Sequence, residues 1–382
     1  MFDLEIISAL MFFVIVGILV YRDRKKIQYD HGIIIKKWTK GKEVIDEFVS
    51  KHYKLVMWIG NFAAVAGTII SIVGFSLLLK MTLSFEQMFG IILPSVSTVT
   101  YPEPVVSVPF WYWLIGIFVI MTSHEFMHAV FARLEKVNIK SFGVILFFVL
   151  PIGAFVDPNQ KQIDKLKMLS KLRIYAAGSF GNLVMAVAIF LVSMLTASIF
   201  SAMITDGGIG FRQTIAGTPA ETVGLSGVIY RINDTAVKND KDFEAFMNNT
   251  AVGDAVVVKT STGSFDIKTI PRPDDSTRSF IGIQNITRVY EYKFGGYVPN
   301  YIFDTVTVWL KLLFWIFVLS IGVGLANLLP MKPFDGGYMF EEYFKKLFGK
   351  KYGKYAIKAM TIITVALLLS NIGIRIAKYY TS

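Results

Sequence analysis

Long apolar runs alternate with polar segments along the whole chain. Six of these runs approach or exceed the roughly 20 residues that an α-helix needs to cross a bilayer. They occupy residues 4–20, 56–79, 110–132, 174–203, 305–329 and 356–377. We therefore predict a polytopic α-helical membrane protein with about six transmembrane helices. The first run is expected to remain as an anchor, because its leading end, MFDLE, is acidic and its trailing end, YRDRKK, is basic.

The basic residues of the connecting segments predict the orientation. Lysine and arginine concentrate in residues 22–54, 133–171 and 332–354, whereas residues 80–109 contain a single basic residue. Basic loops stay on the cytoplasmic side of a membrane. The three basic segments alternate correctly for one side, so we expect them to be cytoplasmic. The N-terminus, residues 205–300 and the C-terminus should then lie outside.

Two segments at membrane depth do not have a helical pattern. Residues 93–110 are rich in proline and β-branched side chains. Residues 142–158 are apolar but contain Pro151 and Gly153 in mid-run, which disfavours a continuous helix. We expect re-entrant β segments here, with a short interfacial loop as the alternative, because non-helical backbone at this depth needs protein or a water-filled cavity around it.

Residues 205–292 are predicted to form a separate water-soluble domain. Apolar content falls, and the pattern alternates between short strands, turns and one short helix at 242–249. The order TPAExxGL, then GVIxxIN, then the expected strand SFIGI at 279–283 resembles a small α+β PDZ domain. Domains of this kind add a partner peptide to a sheet edge. A structural spacer that binds nothing remains the alternative.

Composition agrees with a membrane setting and narrows the chemistry. The 382 residues are 54% hydrophobic, and the mean hydropathy is +0.53. There is no cysteine, which excludes disulfides and thiolate metal ligands, and there are only four histidines. The net charge of +11 is interpreted as basic cytoplasmic loops. No basic stretch is interleaved with aromatic residues in a way that predicts nucleic-acid binding.

Two of the four histidines stand in the run HEFMH, inside the third apolar stretch. His124 and His128 are four residues apart and so share one face of a helix, where they can bind one metal ion. Glu125 stands beside them as a candidate base that activates water. Ionisable side chains at membrane depth are costly and are functional candidates by default.

A candidate for the third ligand lies far downstream, in NLLPMKPFDGG at 327–337. Catalytic zinc takes three protein ligands and keeps one position open. Asp335 is a carboxylate in an apolar turn punctuated by glycine and proline, and the charge pattern places it on the same side of the membrane as the two histidines. Two histidines and one carboxylate form a hydrolytic zinc site.

HExxH on one predicted transmembrane helix and N-x-x-P-x-x-P-x-D-G-G at the end of another together resemble the site-2 protease family of intramembrane zinc metalloproteases. The resemblance implies that His124, His128 and Asp335 bind one zinc ion per chain. It further implies that Glu125 is the general base and that Asn327 holds substrate or the developing oxyanion.

The resemblance covers about residues 56–380 and includes the insertion of a PDZ-like domain. The segment GSFGN, ending at Asn182, is similar to a further family segment, but Ser179 stands where proline is usual. Met127 and Ala154 replace smaller residues that are common in the family. Asn182 is a candidate for positioning substrate, with close packing of two helices as the alternative interpretation.

We therefore expect an intramembrane zinc endopeptidase. Its substrate would be a single-pass transmembrane protein, cut beforehand by another protease, and a strand near Pro151 and Gly153 would hold the unwound substrate helix. The bilayer is the expected partner and nucleic acid is not. The predicted parts are an N-terminal anchor and basic loop (1–55), two portions of the membrane core (56–204 and 293–382) and the PDZ-like domain (205–292). The active site should lie toward the cytoplasmic side of the cell membrane.

Two rival functions make different predictions. A metal transporter with a His/Asp site would show inverted repeats and broken helices in both halves, and neither is visible in the sequence. A membrane protease for soluble or prenylated tails would use a glutamate as its third ligand, and no second glutamate motif is present.

Overall fold

The computed structural model describes residues 4–88, 90–96, 101 and 105–381. In these residues the helices are α1 Leu4–Asp23, α2 Lys42–Lys51, α3 Tyr53–Leu83, α4 Phe110–Leu134, α5 Gln160–Ile163, α6 Met168–Met203, α7 Pro219–Thr222, α8 Asp240–Asn248, α9 Asn300–Asn327 and α10 Asp335–Thr381. The first eight strands are β1 Ile27–Asp30, β2 Ile33–Trp38, β3 Ile91–Ser95, β4 Val105–Pro109, β5 Ile139–Phe147, β6 Leu150–Pro158, β7 Ile204–Gly210 and β8 Gln213–Thr214. The other eight are β9 Ile229–Ile232, β10 Thr235–Ala236, β11 Ala255–Thr260, β12 Gly263–Lys268, β13 Ile270–Arg272, β14 Asp275–Phe280, β15 Ile283–Gln284 and β16 Thr287–Tyr292.

Six of the described helices are long and apolar enough to cross a membrane. They are α1, α3, α4, α6, α9 and the portion Asp335–Ile374 of α10. Each coincides with one of the six runs predicted from hydropathy. By helix length and composition, the prediction of a polytopic membrane protein is therefore confirmed.

Two compact units divide the chain. One contains residues 1–193 and 311–382, and the other contains residues 194–310. The ends of α6 and α9 thus belong with the inserted segment. The four-part division at residues 55, 204 and 292 stays a prediction.

The core of the first unit forms around the second half of α4. Ala129, Val130 and Phe131 are buried there against Ile45 of α2 and Ile174 of α6. A second cluster joins α3, α6 and the start of α10 through small side chains such as Ala63, Ala64 and Ala176. Small residues at helix contacts allow the backbones to approach closely. This packing brings α4, α6 and α10 together.

An antiparallel sheet of four strands, in the order β1-β2-β5-β6, belongs to the same unit. Residues 142–158 form most of the β5–β6 hairpin, whose turn includes Phe148 at a φ of 54°. The strands agree with the expectation for this segment, while their entry into a membrane stays a prediction. The β1–β2 hairpin was not expected, since residues 22–54 were interpreted only as a basic loop.

The other predicted non-helical segment, 93–110, is described only in part. Residues 97–100 and 102–104 lie outside the described residues. The flanking residues form β3 and β4, which pair in parallel with Leu93 opposite Ser107. Its re-entrant character stays a prediction.

The second unit is built on a mixed arrangement of short strands and helices. One sheet has the order β12-β11-β9-β7-β16, with β10 paired to β9. Its core includes Ile209, Ile229 and Ile232 from the sheet, and Phe243 and Met247 from α8. The short helix α8 occurs where the pattern predicts one, at 242–249. The PDZ likeness itself stays a prediction.

One strand prediction for this unit is wrong. SFIGI at 279–283 was expected to be continuous, but the structure ends β14 at Phe280 and begins β15 at Ile283. Gly282 between them has a φ of 98°, a left-handed conformation that interrupts a strand and favours glycine. β15 pairs with β8 instead of continuing the β13–β14 ladder.

Candidate metal centre

The helix α4 presents two histidines on one face. Its nearly continuous apolar sequence favours a helix in an apolar environment, and the four-residue spacing places the two rings edge to face with centroids 4.7 Å apart. Nε2 of His124 lies 3.1 Å from Nε2 of His128. His124 is only 6% exposed. Two ring nitrogens therefore converge in a buried position.

Asp335 completes the cluster from a distant part of the chain. It is the first residue of α10 and follows a short loop after α9. Its Oδ2 lies 3.5 Å from Nε2 of His124, and its Oδ1 lies 3.3 Å from Nε2 of His128. The structure thus brings together the three side chains that were predicted as metal ligands, although they come from motifs about 200 residues apart in sequence.

The two glycines after Asp335 are required because the start of α10 lies very close to the loop that connects it to α9. A Cβ atom on Gly336 would overlap the backbone carbonyl group of Leu328, and one on Gly337 would overlap the backbone of Met331. Ser71 of α3 also donates a hydrogen bond to the Leu328 carbonyl oxygen. The DGG sequence therefore allows α10 to begin in close contact with the loop, and Asp335 is the first residue of this helix.

Glycines on α6 make room for the histidines. A Cβ atom on Gly178 would overlap Nε2 of both His124 and His128. One turn further along, a Cβ on Gly181 would overlap the side chain of Met127. Met127, which departs from the common family residue, is thus accommodated by a glycine on the facing helix.

The outward-facing ring nitrogens of the two histidines have partners of their own. Nδ1 of His128 donates to the carbonyl oxygen of Ile174 at 2.8 Å, which leaves the lone pair of Nε2 free to bind metal. Nδ1 of His124 lies 3.2 Å from the amide of Asn182, whose Oδ1 accepts from Ser123 at 3.0 Å. If His124 also carries its proton on Nδ1, the side-chain amide of Asn182 must be rotated by 180° so that Oδ1 faces the histidine and accepts this proton.

The carboxylate of Asp335 is held by Ser179. The hydroxyl of this fully buried side chain donates to Oδ2 at 2.7 Å. The sequence marked Ser179 as a departure from the family pattern, but it carried no signal for this contact. The Ile174 carbonyl and Ser123 were also missed, because a backbone acceptor and a lone serine have no motif.

The three donor side chains are close enough together to bind one metal ion. Zinc binds histidine nitrogen and carboxylate oxygen at about 2.0–2.2 Å, which gives edges of about 3.3 Å between ligand atoms of a tetrahedron. The two histidine nitrogens are 3.1 Å apart, Oδ2 of Asp335 lies 3.5 Å from Nε2 of His124, and Oδ1 lies 3.3 Å from Nε2 of His128. One ligand atom from each residue lies within 4.8 Å of the other two, so the three side chains can share one ion. Two imidazoles and one carboxylate are also a donor set suited to zinc.

Glu125 lies at the free edge of the four-stranded sheet. Its Oε2 accepts a hydrogen bond of 2.8 Å from the backbone N–H of Val156 in β6. Among the described residues β6 is the last strand of the sheet, so this N–H points away from β5 toward an edge that no described strand pairs with. The candidate base is therefore tied to the strand that was predicted to hold substrate.

The other predicted site residues occupy different positions. Pro151 and Gly153 lie in β6, and Gly153 would place a Cβ 3.5 Å from Cε of Met121 on α4. Asn182 is fully buried and contacts His124 and Ser123. Its role in positioning substrate stays a prediction, while its contacts point to support of His124.

Asn327 is the last residue of α9, directly before the loop that leads to Asp335. It is half-buried. In the described part of the chain its side chain makes no hydrogen bond to the three candidate ligands. The predicted role at the oxyanion therefore depends on a contact with substrate, and it stays a prediction.

Comparison with known families agrees with this site. Residues 112–371 match peptidase family M50, a span that includes α6, α9 and most of α4 and α10. The chain belongs to this family, which is the site-2 protease family, and it is a metallopeptidase of the membrane. Members of the family use a metal that is generally zinc, and the His124, His128 and Asp335 cluster lies within the matched residues.

Two relatives extend the similarity over most of the chain. An uncharacterized protein of Methanocaldococcus jannaschii is 24% identical over 372 residues, which are 94% of this chain and 91% of that protein. A protein of Clostridium acetobutylicum named a "putative zinc metalloprotease" is 22% identical over 315 residues, which are 66% of this chain and 91% of that protein.

Proposed function

We propose that this chain is an intramembrane zinc endopeptidase that cleaves transmembrane helices of other membrane proteins, in regulated intramembrane proteolysis. One observation carries the proposal. The buried cluster of His124, His128 and Asp335, with Glu125 beside the first histidine, is formed by helices that are long and apolar enough to span a membrane. Hydrolytic chemistry at such a position acts on peptide bonds that are themselves in the membrane.

The residues of the site divide the chemistry between them. His124, His128 and Asp335 would hold the metal ion, which when bound would supply a charge that lowers the pKa of a water molecule and polarises a peptide carbonyl. Glu125 takes a proton from the attacking water at its carboxylate and gives it to the leaving amine. The amide N–H of Asn327 donates to the oxygen on which negative charge develops.

The substrate must become extended before it reacts, because the carbonyl groups of a helix are hydrogen-bonded and shielded. The free edge of β6 is where we place the unwound substrate segment. Residues alternate in direction along a strand, so the N–H and C=O of Ala154 face the same edge as the N–H of Val156. A substrate strand added along this edge, near Pro151 and Gly153, would run past Glu125.

We propose that the active site opens toward the cytoplasm of a cell membrane and that residues 205–292 lie outside. The basic segments 22–54, 133–171 and 332–354 support this orientation through the positive-inside rule. His124 and His128 then lie toward the cytoplasmic end of α4.

We further propose that the substrate is a single-pass protein that another protease has already cut outside the membrane. If residues 205–292 lie outside as a folded domain, a bulky outer domain on an uncut substrate would collide with them. Deleting residues 207–290 with a short flexible linker should then allow cleavage of the uncut substrate. If the deletion changes the cleavage rate of neither the cut nor the uncut substrate, the domain is a spacer.

The experiment that tests the main function is a comparison of membrane peptides. Cells that contain the wild-type chain and cells that contain Glu125→Gln would be compared by mass spectrometry of the membrane fraction. The proposal expects transmembrane fragments to accumulate with Glu125→Gln and to disappear when the wild-type chain is restored. Accumulation of soluble peptides alone would contradict an intramembrane substrate.

A further inference from the structure

A lysine-rich cavity of about 990 Å³ lies in the first unit, beside the start of α6 and along α10. Eight lysines and three carboxylates line it, a formal excess of five positive charges. The function proposed above does not use this cavity. We call it the lysine cavity.

Three of its lysines form ion pairs with two glutamates that line the same cavity. Glu342 accepts from Lys171 at 2.9 Å and from Lys345 at 2.8 Å, and Glu341 pairs with Lys345 and with Lys332. The two glutamate side chains are each only 10% exposed. These buried acids hold the three inner lysines in place, so the inner wall is fixed and nearly neutral.

The other five lysines have no such partner. Each is exposed, and in the described residues none has a carboxylate within ion-pair distance. They are Lys346, Lys350, Lys351, Lys354 and Lys358. Like charges gathered at one place repel each other, and a bound anion relieves this repulsion.

The fold brings these five lysines together by reversing α10. The helix is interrupted at Gly349, where a φ of 78° permits a sharp change of direction. The second arm then returns so closely that a Cβ on Gly353 would overlap the backbone of Lys345. Lysines of both arms therefore line the same cavity. A topology signal alone needs basic residues on one side of the membrane, but it does not need them to line one cavity.

We propose that the lysine cavity binds the phosphate group of an anionic ligand, either the headgroup of an acidic membrane lipid or a soluble organic or inorganic phosphate. Lysine ammonium groups bind phosphate as point charges. Basic pockets beside transmembrane helices on the cytoplasmic side are suited to acidic headgroups. The second arm of α10, which carries four of the outer lysines, is part of the helix Asp335–Ile374 that is long and apolar enough to cross a membrane.

The cavity is also connected to the candidate metal centre through its wall. Tyr338, which lies one turn after Asp335, stacks on Tyr175 with ring centroids 5.4 Å apart. Tyr175 follows Ile174, whose carbonyl oxygen accepts from His128. An anion bound here therefore contacts the two helices that position the metal ligands.

The test measures binding by the full-length protein purified in a neutral detergent. Phosphatidylglycerol, inorganic pyrophosphate and phosphatidylcholine are the probes, with retained lipid measured by native mass spectrometry and pyrophosphate by equilibrium dialysis. We expect saturable binding of at least one phosphate-bearing anion in preference to the zwitterionic lipid. The variant Lys350→Gln/Lys351→Gln/Lys354→Gln should weaken that binding by at least about tenfold.

Two further triple variants make the result specific. Lys25→Gln/Lys26→Gln/Lys40→Gln removes the same charge from exposed lysines of another basic segment and should leave binding unchanged. Replacement of Lys350, Lys351 and Lys354 by arginine should retain it, since the charge is kept. If the Lys350→Gln/Lys351→Gln/Lys354→Gln variant loses binding of phosphatidylglycerol but not of pyrophosphate, the ligand is a lipid headgroup. If it loses binding of pyrophosphate to the same extent, the ligand is a soluble phosphate. The proposal fails if neither anion binds, or if both glutamine triples weaken binding equally.

Discussion

The hydroxyl of Ser179 donates a hydrogen bond of 2.7 Å to Oδ2 of Asp335, and Ser179 is fully buried. The two residues are 156 positions apart, on α6 and at the start of α10. Hydrogen bonds of this kind fix the orientation of a ligating carboxylate. Ser179 thus orients the Asp335 carboxylate from the facing helix α6.

Ser179→Ala should therefore weaken zinc binding by about tenfold, because the Asp335 carboxylate loses the donor that holds its orientation. Competition with a chromogenic chelator measures this affinity without any substrate. Ser193→Ala, on the same helix, serves as the matched control, because in the described part of the chain this hydroxyl donates to the carbonyl oxygen of Ile189 and not to a candidate metal ligand. Equal zinc affinity in the two variants would contradict the role of Ser179.

Substitutions in HEFMH should separate metal binding from catalysis. Glu125→Gln removes the proton acceptor but none of the three converging ligand atoms, so it should bind zinc and lose proteolysis. His128→Ala removes a ligand and should lose both. Zinc content after gel filtration and cleavage of a transmembrane substrate are the two measurements. A fully active His128→Ala enzyme would end the metalloprotease interpretation.

A glycine on α6 provides a steric test of the same centre. In Gly178→Ala the added methyl group would overlap Nε2 of His124 and of His128, so the rings or the helix must shift. We expect zinc affinity to fall by at least about tenfold while the protein remains folded. Gly322→Ala on α9 places its methyl group in open space and is the control. Wild-type affinity in Gly178→Ala would show that the centre tolerates this crowding.

The free edge of β6 makes a prediction about substrate handling. Ala154→Pro removes one N–H that faces this edge, and proline is tolerated at an edge position. The loss of a single hydrogen bond should lower the cleavage rate by up to about tenfold and leave zinc binding unchanged. Ala154→Ser keeps the N–H and controls for the change of side chain. If both variants cleave at the same rate, substrate does not pair with β6 at this residue.

Much of the site was predictable because its parts are local in sequence. The spacing of His124 and His128 and the run of glycines after Asp335 are readable without a structure, and charge alone suggested that they share one side of the membrane. The six helices followed from the length of their apolar runs, since helix length in a bilayer depends on composition more than on distant contacts.

The rest depends on contacts between distant segments. Residues 27–38 form two strands because β2 pairs with β5, with Ile35 opposite Ile145, more than 100 residues away. Their lysines were counted as a topology signal, and the short apolar run Ile33–Ile35 was not interpreted as a strand. SFIGI was expected to be one strand, but the left-handed Gly282 divides it. The Ser179–Asp335 contact likewise has no local signal, since it exists only when α6 meets α10.

The orientation in the membrane can be tested by cysteine labelling, because the chain has no cysteine of its own. Ser226 and Ser50 are both exposed, and they lie in segments predicted on opposite sides. Ser226→Cys should react with a membrane-impermeant thiol reagent in intact cells, whereas Ser50→Cys should react only after the membrane is opened. Each variant controls for the other, since the substitution and the exposure are alike. The reverse pattern would place the basic segment 22–54 outside, and with it the cytoplasmic assignment of the His124 end of α4 would be overturned.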